Sequence, residues 1–181
     1  DLTKEAMESC IAHFGEEDLI TITVAHNLAG IREAEGDMDE ALRQEQYAAE
    51  LAERALPELH PLKGYIFEVL ATMLDTVGRH DEAVVAQRRS LAVRQGIHGE
   101  AYPLTIQAHF FLARRMFNAG DMHTAESELL IAREQLDQTP SAGANLVRAV
   151  HSDLVFLYKT TGDTAKQAAA EATWKAVQPG E

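Results

Sequence analysis

The chain has 181 residues, 46% of them hydrophobic and 25% charged, enough for a folded core and unlike the low-hydrophobicity signature of a disordered chain. Its 16 basic residues stand against 29 acids for a net charge of -13, a field that repels phosphate backbones and anionic bilayers and so excludes nucleic acid and membrane as expected partners. A single cysteine, Cys10, excludes an internal disulfide framework and points to a reducing, cytoplasmic setting, and no apolar run reaches the length of a membrane span.

Five prolines and abundant alanine and leucine make helix the default, and no Asn-Gly or Asp-Gly hairpin dipeptide occurs. The helical pattern is punctuated at one interval: Gly36, Gly78, Gly120 and Gly162 lie 42 residues apart. Eight residues before them stand Leu28, Leu70, Leu112 and Leu154, and seven before them Ala29, Ala71, Ala113 and Val155. Five after come Ala41, Ala83, Ala125 and Gln167, and twelve after come Ala48, Ser90, Ala132 and Trp174. Places five and twelve lie two turns apart on one helix face, where small side chains let a second helix approach. The leucine, together with Leu74, Met116 and Tyr158 four before the glycine, forms the opposing apolar stripe, which Arg32 interrupts in the first copy. The expectation is all-α, with each glycine ending one helix in a left-handed conformation and admitting the next.

In chain order, residues 1–14 read as the second helix of a truncated preceding repeat, with Leu2 and Ala6 in register, so the array is expected to continue upstream. Residues 15–56, 57–98, 99–140 and 141–181 are four repeats. Asp39 and Asp81 are expected to cap the helices that follow their glycines, with Glu40 and Glu82 at the positive helix ends. Pro61 and Pro103, each 17 before a glycine, are expected to open helices. The fourth repeat departs from the columns and ends in the polar Gln-Pro-Gly-Glu of 178–181, as a capping repeat would.

These residues resemble the tetratricopeptide repeat: Leu-Ala in a first helix, glycine at the turn, small residues along a second helix. The usual repeat has 34 residues, and the 42-residue spacing is similar to the kinesin light chain subclass. The resemblance implies a right-handed α-solenoid of antiparallel helix pairs whose first helices line a concave groove that binds a peptide or protein. It places in that groove His26, Asn27 and Glu33 of the first repeat, and Glu68 and Asp75 of the second. The third contributes Phe110, Arg114, Phe117 and Asn118, and the fourth Phe156 and Lys159. The expected ligand carries an apolar side chain near Phe110, Phe117 and Phe156 and basic groups over Glu33 and Asp75. Arginine with aromatic residues is the usual makeup of a binding hot spot, and Asn27 and Asn118 have amides suited to a peptide backbone. The alternatives are core packing for the phenylalanines, a ligand-sensing regulatory domain of a signalling enzyme or transcription regulator, and a scaffold that self-associates, for instance as a homodimer through its exposed ends.

Catalysis is not expected, and neither is a cofactor or a metal. The eight histidines never fall in a His-Glu-x-x-His pattern, no Cys-x-x-Cys or glycine-rich phosphate loop occurs, and the sequence gives Cys10 no fixed basic partner. His109 and His151, 11 before their glycines, read as structural. Arg88, Arg89 and Arg94 read as a solvated face of the second helix of their repeat.

Overall fold

A residue with a Cβ is strained in the left-handed backbone region, so a glycine there sets where a helix must stop. The computed structural model describes residues 2–177, and in it Gly36 and Gly120 have φ of 83° and 87°. The bonding at each turn is that of a Schellman cap. The Gly36 N–H donates to the Glu33 carbonyl and the Asp37 N–H to that of Arg32; Gly120 and Asp121 do the same to Phe117 and Met116. The turn therefore satisfies the last carbonyls of one helix while reversing the chain for the next.

The helices are α1 (Leu2–Phe14), α2 (Leu19–Ala34), α3 (Met38–Ala55), α4 (Pro61–Thr76), α5 (His80–His98), α6 (Pro103–Asn118), α7 (Met122–Gln138), α8 (Ala144–Thr161) and α9 (Thr164–Val177), with a short 3-10 turn at Pro140–Ala142. No strand occurs among the described residues, and the fold class is all-α. Pro61 and Pro103 each open a helix. Chain contacts divide the molecule into two units, Asp1–Ile97 and His98–Glu181.

In the first unit α2 and α3 pack as a pair, and α3 also meets α4. Their shared core contains Ile22, Leu51, Ile66 and Met73, all essentially inaccessible. Ala41, Ala48 and Ala83 are completely buried, as close helix approach demands. Ser90 also fits, because its Oγ donates to the Gly64 carbonyl at 2.7 Å. A methyl on Gly64 would stand 3.4 Å from Val93 Cγ1, so α4 and α5 touch through a bare backbone. In the second unit α6 pairs with α7 and α8 with α9, with α7 against α8. Ala125 and Ala132 are again fully buried, and Leu112, Met116, Leu154 and Tyr158 supply the apolar stripe. Gln167 and Trp174 are half-buried, and Ala170 is the one buried residue among the described side chains of α9. Ala6, aligned with the small-residue column, is exposed on α1. The side chain of Leu2 and the polar end at 178–181 lie outside the described residues.

The caps are not where the sequence pattern put them. Asp37, immediately after the glycine, accepts from the Glu40 N–H at 3.1 Å, and Asp121 and Asp163 do the same for Thr124 and Lys166 at 3.0 Å. Asp39 and Asp81 lie inside the first turn of α3 and α5, where they favour the positive helix end without capping it. The glycine closes one helix so tightly that the next begins a residue or two earlier than a looser turn would allow.

Buried polar contacts tie paired helices together. On α6, His109 has a side chain only 5% exposed, with Nδ1 2.6 Å from Glu128 of α7 and Nε2 3.3 Å from Glu100. Burial alone would lower the imidazole pKa, but the two carboxylates outweigh it and the net direction is up from 6.5.

Two outcomes follow from these contacts. Gly30 lies within α2 with nothing inside 4 Å of an added methyl, whereas Gly36 sits at positive φ. Urea denaturation is expected to find Gly30→Ala stabilised by about 0.5–1 kcal/mol and Gly36→Ala destabilised by about 1–2 kcal/mol; equal effects would contradict the capping role. For His109, a folded pKa above the unfolded value means that the folded state holds the proton more tightly. That stabilisation is complete below the unfolded value and is lost as pH rises through the folded one. As the pH rises from below 6.5 the parent chain should therefore lose more stability than Glu128→Gln, and parallel pH profiles would refute this role of the Glu128 contact.

Candidate functional site

A concave feature of the second unit forms where α6 and α8 run side by side above α7. On α6 the 3.6-residue repeat brings Ala113, Arg114, Phe117 and Asn118 to one edge, while Asp153, Phe156 and Leu157 of α8 form the other and Ala125 and Leu129 of α7 the floor. Ala113 and Ala125 are buried and short, and the room they leave contributes to a cavity of about 310 Å³. The rings of Phe117 and Phe156 approach to 5.4 Å between centroids, tilted by 45°. Phe156 is 57% exposed, a large apolar area left in water where a helix surface ordinarily carries polar groups.

A charge pair sits in the same wall. Arg114 Nε is 3.6 Å from Asp153 Oδ2, too far for a hydrogen bond, and the guanidinium also lies 5.7 Å from the centre of the Phe110 ring. Burial pushes the Asp153 carboxyl up from its ordinary pKa, and Arg114 only partly offsets that. The arrangement offers an apolar slot rimmed by a guanidinium, a carboxylate and the Asn118 amide. Such a rim sets hydrogen-bonding groups beside an apolar hollow.

Structure and expectation compare residue by residue. Arg114, Phe117, Asn118 and Phe156 come together at this cavity. Phe110 does not: it is 6% exposed, packs its ring 5.6 Å from Phe111 and lines a separate hollow toward the start of α6 and α8. Lys159 lies one turn from Phe156 on the exposed surface of α8.

The remaining candidates belong to the first unit. Asn27 and Glu33 are exposed on α2. His26 is nearly buried, with Nδ1 2.9 Å from Glu45 Oε2, and its ring meets Tyr65 edge-on at 5.0 Å. Glu45 is fully buried, and burial raises its pKa while the His26 contact lowers it. Glu68 is bound by Arg94 at 2.9 Å and Asp75 by His80 at 2.7 Å, so Asp75, one of the two acids expected to receive a basic ligand, is already engaged within the chain. Arg94, expected on a solvated face, is buried at 8% exposure for the same reason; Arg88 and Arg89 are exposed.

Sequence reasoning left out Asp153 and the floor residues Ala125 and Leu129. Asp153 stands nine residues before Gly162, and its contact with Arg114 joins residues 39 apart in the chain. Among the described residues no group of three or more His, Cys, Asp and Glu is placed to hold a metal, and no helix is long and apolar enough to cross a membrane.

Comparison with known proteins agrees with this geometry. Residues 20–95 match the tetratricopeptide repeat family model. A kinesin light chain-like protein of nearly identical TPR-like repeats from Podosopora anserina is 19% identical, with a TM-score of 0.85 over 98% of this chain and 84% of that one. BtubC (BKLC) from P. vanneervenii is 17% identical, with a TM-score of 0.84 over 99% of this chain and 74% of that one. SycD, a type III secretion translocator chaperone of Yersinia enterocolitica, is 22% identical, with a TM-score of 0.57 over 80% and 95% of the two chains. The search of curated proteins matches no relative by sequence. Residues 20–95 are tetratricopeptide repeats, and the chain has the helical-repeat fold of kinesin light chain-like proteins.

Proposed function

We propose that this chain is a protein-interaction module that works by binding, not by catalysis, and that it holds a segment of a partner protein between α6 and α8. One observation carries the reading: the half-open cavity beside Phe117 and Phe156, with Arg114, Asp153 and Asn118 around it. Repeats of this family generally mediate protein contacts, and a solved structure of similar fold is a translocator chaperone. An exposed aromatic beside an arginine in a concave site has the composition of a binding hot spot. A cytoplasmic setting belongs to the same reading, on the free thiol of Cys10.

The ligand enters with an apolar side chain. A cavity of about 310 Å³ accepts one large side chain, and its walls are mainly carbon. In the first unit Glu68 and Asp75 are engaged within the chain, which leaves little there to recruit a basic ligand and places the specificity at the cavity.

Panning a random peptide display library on the chain tests this. Enriched peptides are expected to lose about tenfold or more in affinity, roughly 1.4 kcal/mol, for Phe156→Ala and for Phe117→Ala. They should bind Val85→Ala, an equally exposed apolar control on α5, as well as the parent. Peptides indifferent to both phenylalanines would reject the site.

A further inference from the structure

Lysine is almost never buried unless a partner neutralises it, because a charge out of water is costly. Lys63, in the first turn of α4, is only 5% exposed. That place adds a second penalty, since a helix start carries positive partial charge and no acid stands in this turn to offset it. The lysine Nζ lies 3.6 Å from Glu53 Oε2 of α3, farther than a hydrogen bond reaches. Arg89 of α5 holds the same carboxylate more closely, at 3.0 Å. The ammonium therefore has only a loose share of one counter-ion. The fold does not demand a cation here: fifteen residues before the other repeat glycines stand Thr21, Thr105 and Val147, and both threonines are fully buried without charge.

Lys63 lines a hollow of about 520 Å³ within the first unit, among α3, α4 and α5. That volume falls in the range of about 300–1,000 Å³ that small-molecule sites occupy. Leu59, Phe67 and Val93 supply carbon to its wall, and Arg89, Glu53 and the exposed Glu58 stand with the lysine as its polar groups. The Phe67 ring centre lies 5.3 Å from the Arg89 guanidinium carbon and helps to hold that cation in place. Leu59 is 51% exposed and rests on Gly96 of α5, where an added methyl would stand 2.4 Å from its Cδ2. A glycine within a helix ordinarily weakens it; this one leaves room for the leucine at the edge of the hollow.

Charge and carbon together select the ligand. Glu53 shows the kind of group that Lys63 and Arg89 accept, and its side chain is 44% exposed, so it can turn to water when another carboxylate arrives. A doubly charged phosphate would be repelled more strongly than a singly charged acid by Glu53, Glu58 and a chain of net charge -13. The carbon wall suits an apolar body behind the acid. We infer that the hollow among α3, α4 and α5 is a small-molecule site for a monocarboxylate with an apolar tail. The ligand carboxylate takes Lys63 from Glu53, and the tail lies against Leu59, Phe67 and Val93. The site shares no residue with the cavity between α6 and α8 and stands apart from the protein-binding role.

An amide NMR titration of the intact chain with sodium octanoate tests this, with acetate, octanol, octylamine and octyl phosphate run in parallel. Octanoate is expected to shift the amides of Leu59, Lys63 and Gly96 and to bind about tenfold tighter than the other four. Lys63→Met should weaken it about tenfold without lowering the melting temperature, because a poorly paired buried charge gives way to an apolar chain of similar length. Glu53→Gln should tighten it about threefold or more by removing the resident competitor, a gain that a purely structural ion pair would not produce. Gly96→Ala, which displaces Leu59, should weaken binding, and Phe156→Ala should leave it unchanged. Octanoate that binds Lys63→Met as well as the parent, or shifts no amide around the hollow, would overturn the site. Octanol bound as tightly as octanoate would overturn the acid assignment, and weaker binding to Glu53→Gln would overturn the exchange of carboxylates.

Discussion

Everything in this molecule is registered by the left-handed turn that joins paired helices. At Gly36, Gly78 and Gly120 the N–H of the glycine returns to the carbonyl three residues back, and the next N–H returns to the carbonyl five back. The acceptor of that longer bond is Arg32, Leu74 or Met116, the same place that in two of the three also supplies the apolar stripe. One residue thus ends a helix and packs it at once. Each turn fixes which face of the next helix meets its partner, and the alanines five and twelve residues later fall at the contact because no slack is left to misplace them.

The folding pattern was legible because it is local and repeated. A glycine that must adopt positive φ, a small residue where two helices touch and a leucine one turn inside the core are dictated by backbone and packing within a few dozen residues. Repetition converts weak preferences into columns. The caps show where that reasoning loses precision. Asp39 and Asp81 looked like caps on a looser turn, and the tight one moved the role to Asp37, Asp121 and Asp163.

The candidate site was legible only in part, for a different reason. Which face of α6 and α8 is open follows from periodicity, so Arg114, Phe117 and Phe156 could be named. Whether a residue on that face reaches water depends on neighbours far away in sequence. Phe110 differs from Phe117 by two turns, yet its ring lies under Phe111 and the Arg114 guanidinium. Arg94 looked solvated until Glu68, 26 residues earlier, supplied its partner. Long-range charge pairing of this kind leaves no trace in spacing, because a carboxylate and a guanidinium attract from any two places that the fold brings together.

The polar struts inside the helix pairs differ from one pair to the next. His26 meets Glu45, Glu68 meets Arg94, and His109 meets Glu128. Glu45 is fully buried, and at its own register place, nine residues after the glycine, later helices carry Gln87, Leu129 and, in α9, Glu171. If α3 folded back onto α6 in place of α2, Glu45 would face Phe110 instead of His26, and a buried charge without a partner is strongly penalised. Similar modules in one chain run a standing risk of assembling out of order. Here the first three pairs each have their own lock and key, so the interior that stabilises the fold also numbers its parts.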